Sequence, residues 1–168
     1  VVVSMSSFGP EGADASRIGH DLNFTAVTGL LSELPEGDLP RVQLADVGAG
    51  LLALSATLAA LLQRARTGRG AHVEQPLVTG PLPFLAWSFA ELGAGGGGVL
   101  DGLLAGKSPA YRTYAAGDGR KLALGALEPK FWAVLCEMAG IPEHAGDGLD
   151  TGAAGADAAA RLAAVFAS

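Results

Sequence analysis

Residues 17–37 read RIGHDLNFTAVTGLLSELPEG. Gly19, His20 and Asp21 stand just ahead of an apolar run in which Phe24, Val27, Leu30, Leu31 and Leu34 recur at helical spacing. The pattern predicts a helix over about residues 23–34, ended by Pro35-Glu36-Gly37-Asp38. His20 is one of three histidines in the chain. The His20–Asp21 pair has two readings: a cap beside a loop residue, or a working base beside a carboxylate. For such a pair taken alone, the cap is the better reading.

Upstream, VVVSMSSF at residues 1–8 reads as a strand running into a turn at Gly9-Pro10-Glu11-Gly12, and residues 14–18 form a polar loop. The strand has no lead-in, an unusual way for a domain to start. Downstream, Asp46 has N-cap chemistry and opens a helix that runs to about Arg66, closing with Arg64, Arg66 and Gly68. Acid at its start and base at its end suit the helix dipole. Residues 67–70 form a turn, and His72-Val73-Glu74-Gln75 is extended or the start of another helix. Residues 77–92 read as a helix despite Pro81 and Pro83, and the glycine-rich stretch 93–98 as a linker.

Beyond the linker the texture changes. Residues 109–114 alternate like a strand, Gly117-Asp118-Gly119-Arg120 is a hairpin turn, and residues 121–125 form the return strand. Pro129 starts a helix over 130–139 with Gly140 as its stop. Residues 146–155 are loop, and 156–167 form an amphipathic helix.

At 168 residues, with 49% hydrophobic and 17% charged side chains, the chain can bury a sizeable core. A net charge of −6 leaves no basic stripe for nucleic acid. The single cysteine, Cys136, excludes an internal disulfide and a cysteine zinc cluster, and fits a reducing, cytoplasmic setting. It reads as a core residue. The first residues lack the positive region of a signal peptide. The longest uncharged run, 47–62, falls about four residues short of a bilayer span and reads as a helix buried in protein, so no membrane is implied.

Small residues surround Asp46 in ADVGAG, which leaves room for a ligand at the helix N-terminus. Glu128, in GALEPKFW, stands at a strand end and helix start. Each carboxylate by itself reads as ordinary helix-terminal charge. His72 and His144 have no partner at metal-ligand spacing and read as surface residues. The glycine stretch lacks a phosphate-loop signature, and there is no G-x-S-x-G elbow.

Taken together, SSFGPEG, GHDLNF, ADVGAG…TGRG and YRTYAAGDGRKLALGALEPKFW, in that order, resemble the family III CoA-transferase superfamily, and within it the α-methylacyl-CoA racemase branch. The resemblance covers most of residues 4–142. It implies an α/β fold: part of a large domain with a Rossmann-like, CoA-binding sheet and a long buried helix (residues 1–75), a linker helix and glycine-rich hinge (76–100), and a truncated small α+β domain (101–168). It implies interlocked homodimers, with the active site where one chain's large domain meets the other's small domain. His20 and Asp46 would be the two bases, and Glu128 would support the histidine. Gly19, Asp21, Asn23 and Phe24 would line the CoA thioester pocket. No cofactor or metal is implied, because the acyl-CoA thioester is itself the substrate.

The residue types suit the chemistry. Epimerisation beside a thioester requires one group to remove a proton from one face and another to deliver a proton to the opposite face. Imidazole and carboxylate can exchange those roles. The enolate-like oxygen needs donors, and the amides at the Asp46 helix start could supply them. With Asp46 and Glu128 in family register, His20 reads as base rather than cap.

The family's large-domain beginning and C-terminal return are absent, so the chain resembles the middle of a longer protein. VEQPLVTG departs from the V-D-V-S-M-x-D-G pattern at Gln75, Pro76 and Thr79. LLAGKSPAY lacks the Gly-Gly-Ala-Pro of the close racemases, and Phe24 replaces the commoner Tyr. Two competing readings are a CoA transferase, in which Asp46 attacks an acyl-CoA to form a mixed anhydride, and an inactive fragment. His20 favours the racemase, because the transferase branch does not generally carry a histidine there.

Overall fold

The structure is a computed structural model that describes residues 1–34, 39–95 and 102–168. The expected turn at 35–38 and residues 96–98 of the glycine-rich stretch lie outside the described residues. The chain is mixed α/β and divides into two compact units, Val1–Gly93 and Ala94–Ser168.

In the first unit β1 (Val2–Ser6) pairs in parallel with β2 (His72–Pro76), Val2 opposite His72 and Ser6 opposite Pro76. Parallel neighbours need a long crossover, and this one carries α1 (Asp21–Val27) and α2 (Leu44–Thr67). His72 is exposed, as expected, and its Nε2 lies 2.7 Å from Ser4 Oγ and 2.9 Å from Glu74 Oε1.

Two expected helices are broken. The helix expected over 23–34 ends at Val27, because Gly29 turns left-handed at φ +86° before a tight turn at Leu30–Glu33. Residues 77–92 form two short tight turns, Leu77–Thr79 and Leu82–Leu85, before α3 (Ala86–Gly93). Pro81 and Pro83 lack the N–H a continuous helix requires.

Two expectations about α2 are also corrected. It begins at Leu44, so Asp46 is its third residue rather than its cap. Nor is it buried all round. Its buried residues are Ala45, Gly48, Ala49, Ala53 and Ala60, whereas Leu51, Leu54 and Leu58 are each more than half exposed. The cause is backbone proximity. A Cβ on Gly80 would stand 2.6 Å from Ala49 N, so only a small-residue face can approach there. The room read around Asp46 is therefore partly filled by protein. With 24 residues and a mean hydropathy of 1.8 over its apolar window, α2 is long and apolar enough to cross a membrane by length and composition alone.

The second unit follows its pattern closely. β3 (Tyr111–Ala115) and β4 (Lys121–Gly125) form the antiparallel hairpin, and α4 (Pro129–Met138) starts at its proline. α5 (Ala153–Phe166) starts three residues earlier than expected. Trp132, Cys136, Ile141, Ala158 and Leu162 pack with Tyr114 as its core, so Cys136 is the core residue expected. Burying the large apolar members stabilises the unit by roughly 1.5–3 kcal/mol per side chain. Tyr114 meets Phe166 edge-on at 5.3 Å and donates its hydroxyl to the Pro109 carbonyl at 2.7 Å.

His144 is not the surface residue expected. It is buried, with Nδ1 2.8 Å from Asp147 Oδ2 and Nε2 3.2 Å from Asp157 Oδ2. Its carbonyl accepts the Trp132 indole N–H at 2.8 Å. The nearer carboxylate accounts for burial of a polar ring.

Candidate functional site

His20 is the N-cap of α1. Its backbone N–H donates to Asn23 Oδ1 at 3.0 Å, while its carbonyl accepts the N–H groups of Asn23 and Phe24. The local reading, with Asp21 as cap and His20 as a loop residue, is displaced by one position: His20 is the cap, through its backbone, which leaves the ring's chemistry open. Gly19 is held against aromatic rings: a Cβ there would lie 2.7 Å from Phe24 Cε1. Phe24 is fully buried and packs edge-on against Phe8 at 5.3 Å.

Asp21 is the first helical residue of α1, yet its carboxylate does not cap α1. Oδ1 accepts the backbone N–H of Ala45 at 2.7 Å and of Asp46 at 3.1 Å. These are first-turn amides of α2, which helical bonding leaves unpaired. The expected use of the Asp46 helix-start amides as donors to a substrate oxygen is corrected here, because Asp21 already occupies those of Ala45 and Asp46.

His20, Asp21, Leu22, Leu39, Pro40, Gln43 and Asp46 line one open cavity of about 330 Å³. That volume lies at the lower end of the range for small-molecule sites. Asp46 is exposed in the first turn of α2. One cavity thus offers an imidazole and a carboxylate as proton carriers beside an apolar wall from Leu22, Leu39 and Pro40. Gly19, Asn23 and Phe24, expected to line the thioester pocket, are not among these lining residues; they shape the start of α1. Gln43 was missed by the sequence reading. It is the N-cap residue of α2, and only the true start of that helix marks it.

Glu128 belongs to the second unit and is not part of this lining. It caps α4 through its backbone, its carbonyl accepting the N–H of Phe131 at 2.9 Å and of Trp132 at 3.1 Å, and its side chain is exposed.

Comparison with known proteins agrees with the architecture. The model of CoA-transferase family III matches residues 1–168. The chain is 33% identical over 148 residues to the α-methylacyl-CoA racemase of Mus musculus, covering 84% of this chain and 39% of the racemase. It is 30% identical over 148 residues to the succinyl-CoA:glutarate CoA-transferase of the same species, covering 85% of this chain and 34% of the transferase. Among solved structures it resembles a CAIB/BAIF family protein from Brucella suis, with a TM-score of 0.70 and 26% identity over 98% of this chain and 45% of that one. A hypothetical protein from Mycobacterium tuberculosis shares the fold, with a TM-score of 0.75 at 24% identity over 99% of this chain and 46% of that one. The chain spans less than half the length of each of these proteins. It belongs to CoA-transferase family III, an enzyme family with both racemases and CoA transferases among this chain's relatives.

Proposed function

We propose that this chain carries the two-base centre of an enzyme that epimerises the α carbon of a 2-methylacyl-CoA thioester. The observation that carries the reading is the shared cavity lined by His20 and Asp46. One of the two removes the α proton while the other, protonated, delivers a proton to the opposite face; the roles exchange with direction. Glu128 supports the imidazole, and Gly19, Asp21, Asn23 and Phe24 form the surroundings of the thioester. The active protein is an interlocked cytoplasmic homodimer that needs no cofactor, since the thioester itself acidifies the α proton. The 33% identity to a racemase supports this class.

The transferase relatives favour a second reading. There Asp46 attacks the thioester carbonyl, a mixed anhydride forms at its carboxylate, and CoA leaves as the thiolate. Incubation of a 2-methylacyl-CoA with the protein in deuterated water separates the two. The racemase washes deuterium into the α position without a second acid. Movement of CoA to a free carboxylic acid, with no α exchange, establishes the transferase, and neither event marks an inactive fragment.

A further inference from the structure

We infer that Asp21 is a positioning residue that sets Asp46 against His20. This rests on the two-base reading above. His20 and Asp21 are adjacent at the start of α1, and Ala45 and Asp46 are adjacent in the first turn of α2. Ala45 and Asp46 lie 24 and 25 residues beyond Asp21 along the chain, yet a single oxygen, Asp21 Oδ1, accepts both α2 amides at 2.7 and 3.1 Å. The cap residue of α2, Gln43, makes no side-chain capping bond of its own. The first turn of α2 is therefore anchored by a carboxylate from the other helix. Bonds from amides to an ionised carboxylate are among the stronger hydrogen bonds available to a protein.

The consequence is geometric. His20 is joined to this anchor by one peptide bond, and Asp46 donates to it through its own N–H. One side chain thus fixes the start of the helix that carries Asp46 relative to the cap position that carries His20. The anchor also explains why the acid follows the histidine directly. A local cap for α2 would stabilise that helix without tying it to His20.

The test uses the full chain with Asp21→Ala and Asp21→Asn, following α-proton exchange from each stereoisomer of a 2-methylacyl-CoA in deuterated water. Without the anchor, Asp46 loses its register while His20 keeps its own. Exchange of the isomer deprotonated by Asp46 should fall by about 100-fold, the cost of roughly 1 Å of misplacement. Exchange of the other isomer should fall far less, so that the ratio of the two rates shifts by at least about 10-fold. Asp21→Asn keeps an acceptor oxygen for both amides and should restore most of the loss. If Asp21→Ala does not fold, Asp21→Glu replaces it: the charge stays, the anchor moves by a methylene, and the same one-sided loss is expected. Equal losses for both isomers, no loss, or an Asn variant as impaired as Ala overturns the inference.

A second readout separates this from failure of the reaction itself. Hydrogen exchange at the Ala45 and Asp46 amides should quicken in Asp21→Ala and stay slow in Asp21→Asn. If the wild-type chain exchanges neither isomer, the two-base reading falls. The anchor is then decided by these two amides: lost protection sustains it, and unchanged protection removes it.

Discussion

Gly48 of α2 lies directly against the backbone of Gly80, and a Cβ on either residue would collide with the other segment. This contact turns the small-residue face of α2 towards β2 and the turn that follows it. Gly48→Ala and Gly80→Ala should each destabilise the first unit by about 3 kcal/mol, the upper end of overpacking costs, because the obstacle is backbone rather than a flexible side chain. Gly50 has open space around it in the same helix, and Gly50→Ala should stabilise by about 1 kcal/mol. Thermal melts of the three variants check the opposite signs.

The proposed bases divide the work by stereoisomer. His20→Ala should abolish racemisation in both directions while α exchange from one isomer persists, carried by Asp46. Asp46→Ala should leave exchange from the opposite isomer. Glu128→Gln should be milder, a loss of about 10–100-fold, the range for outer partners of histidines in metal sites. Full racemase activity in His20→Ala would return His20 to the role of a cap.

Alkaline pH should loosen the second unit first. Burial pushes the Cys136 thiol up, with the nearby Asp147 and Glu143 carboxylates adding to it. Burial also raises the Tyr114 phenol, and the Arg112 charge offsets part of that rise. Both groups are raised in the folded chain, so their contribution is complete below the unfolded values, near ~8.5 and ~10, and is lost as pH climbs through the folded ones. Urea midpoints followed at Trp132 should fall between pH ~8 and ~10.5, and Cys136→Ala should remove the earlier part of the fall. A flat profile would contradict this.

The outward face of α2 should drive association. Val47, Leu51, Leu54, Leu58 and Leu61 alternate spacings of four and three, the seam of a coiled coil, and every one of them is exposed. Light scattering should show self-association of the 168-residue chain, and replacing Leu51, Leu54 and Leu58 by Gln should reduce it. A compact monomer before any substitution would refute the prediction.

What the sequence made legible was local. The hairpin follows from Gly117-Asp118-Gly119-Arg120, and α4 from Pro129 and Gly140, because each signal acts within a few residues of its effect. The misreadings share a different origin. Asp46 looks like a cap until Asp21, 25 residues earlier, is seen to hold its amide. His144 looks like a surface residue until Trp132, 12 residues earlier, is seen to donate its indole N–H to the His144 carbonyl. The leucines of α2 look like core because composition records how apolar a helix is, not which face its glycines bring against a neighbouring backbone. Of the site, the histidine and its acidic partner were readable as residue types in order. Their meeting in one cavity, and the amides already taken within it, depend on contacts across the crossover.

The bond from the Trp132 indole to the His144 carbonyl gives the chain an internal optical label. Its two tryptophans fall one to each unit: Trp132 is 1% exposed and Trp87 is 51% exposed. Trp132 should emit at shorter wavelength and resist a polar quencher such as iodide, while Trp87 should emit like an indole in water and be quenched readily. A Trp87→Phe chain would then report the second unit alone, and a Trp132→Phe chain the first, so that each unit's unfolding can be timed with light and no attached dye.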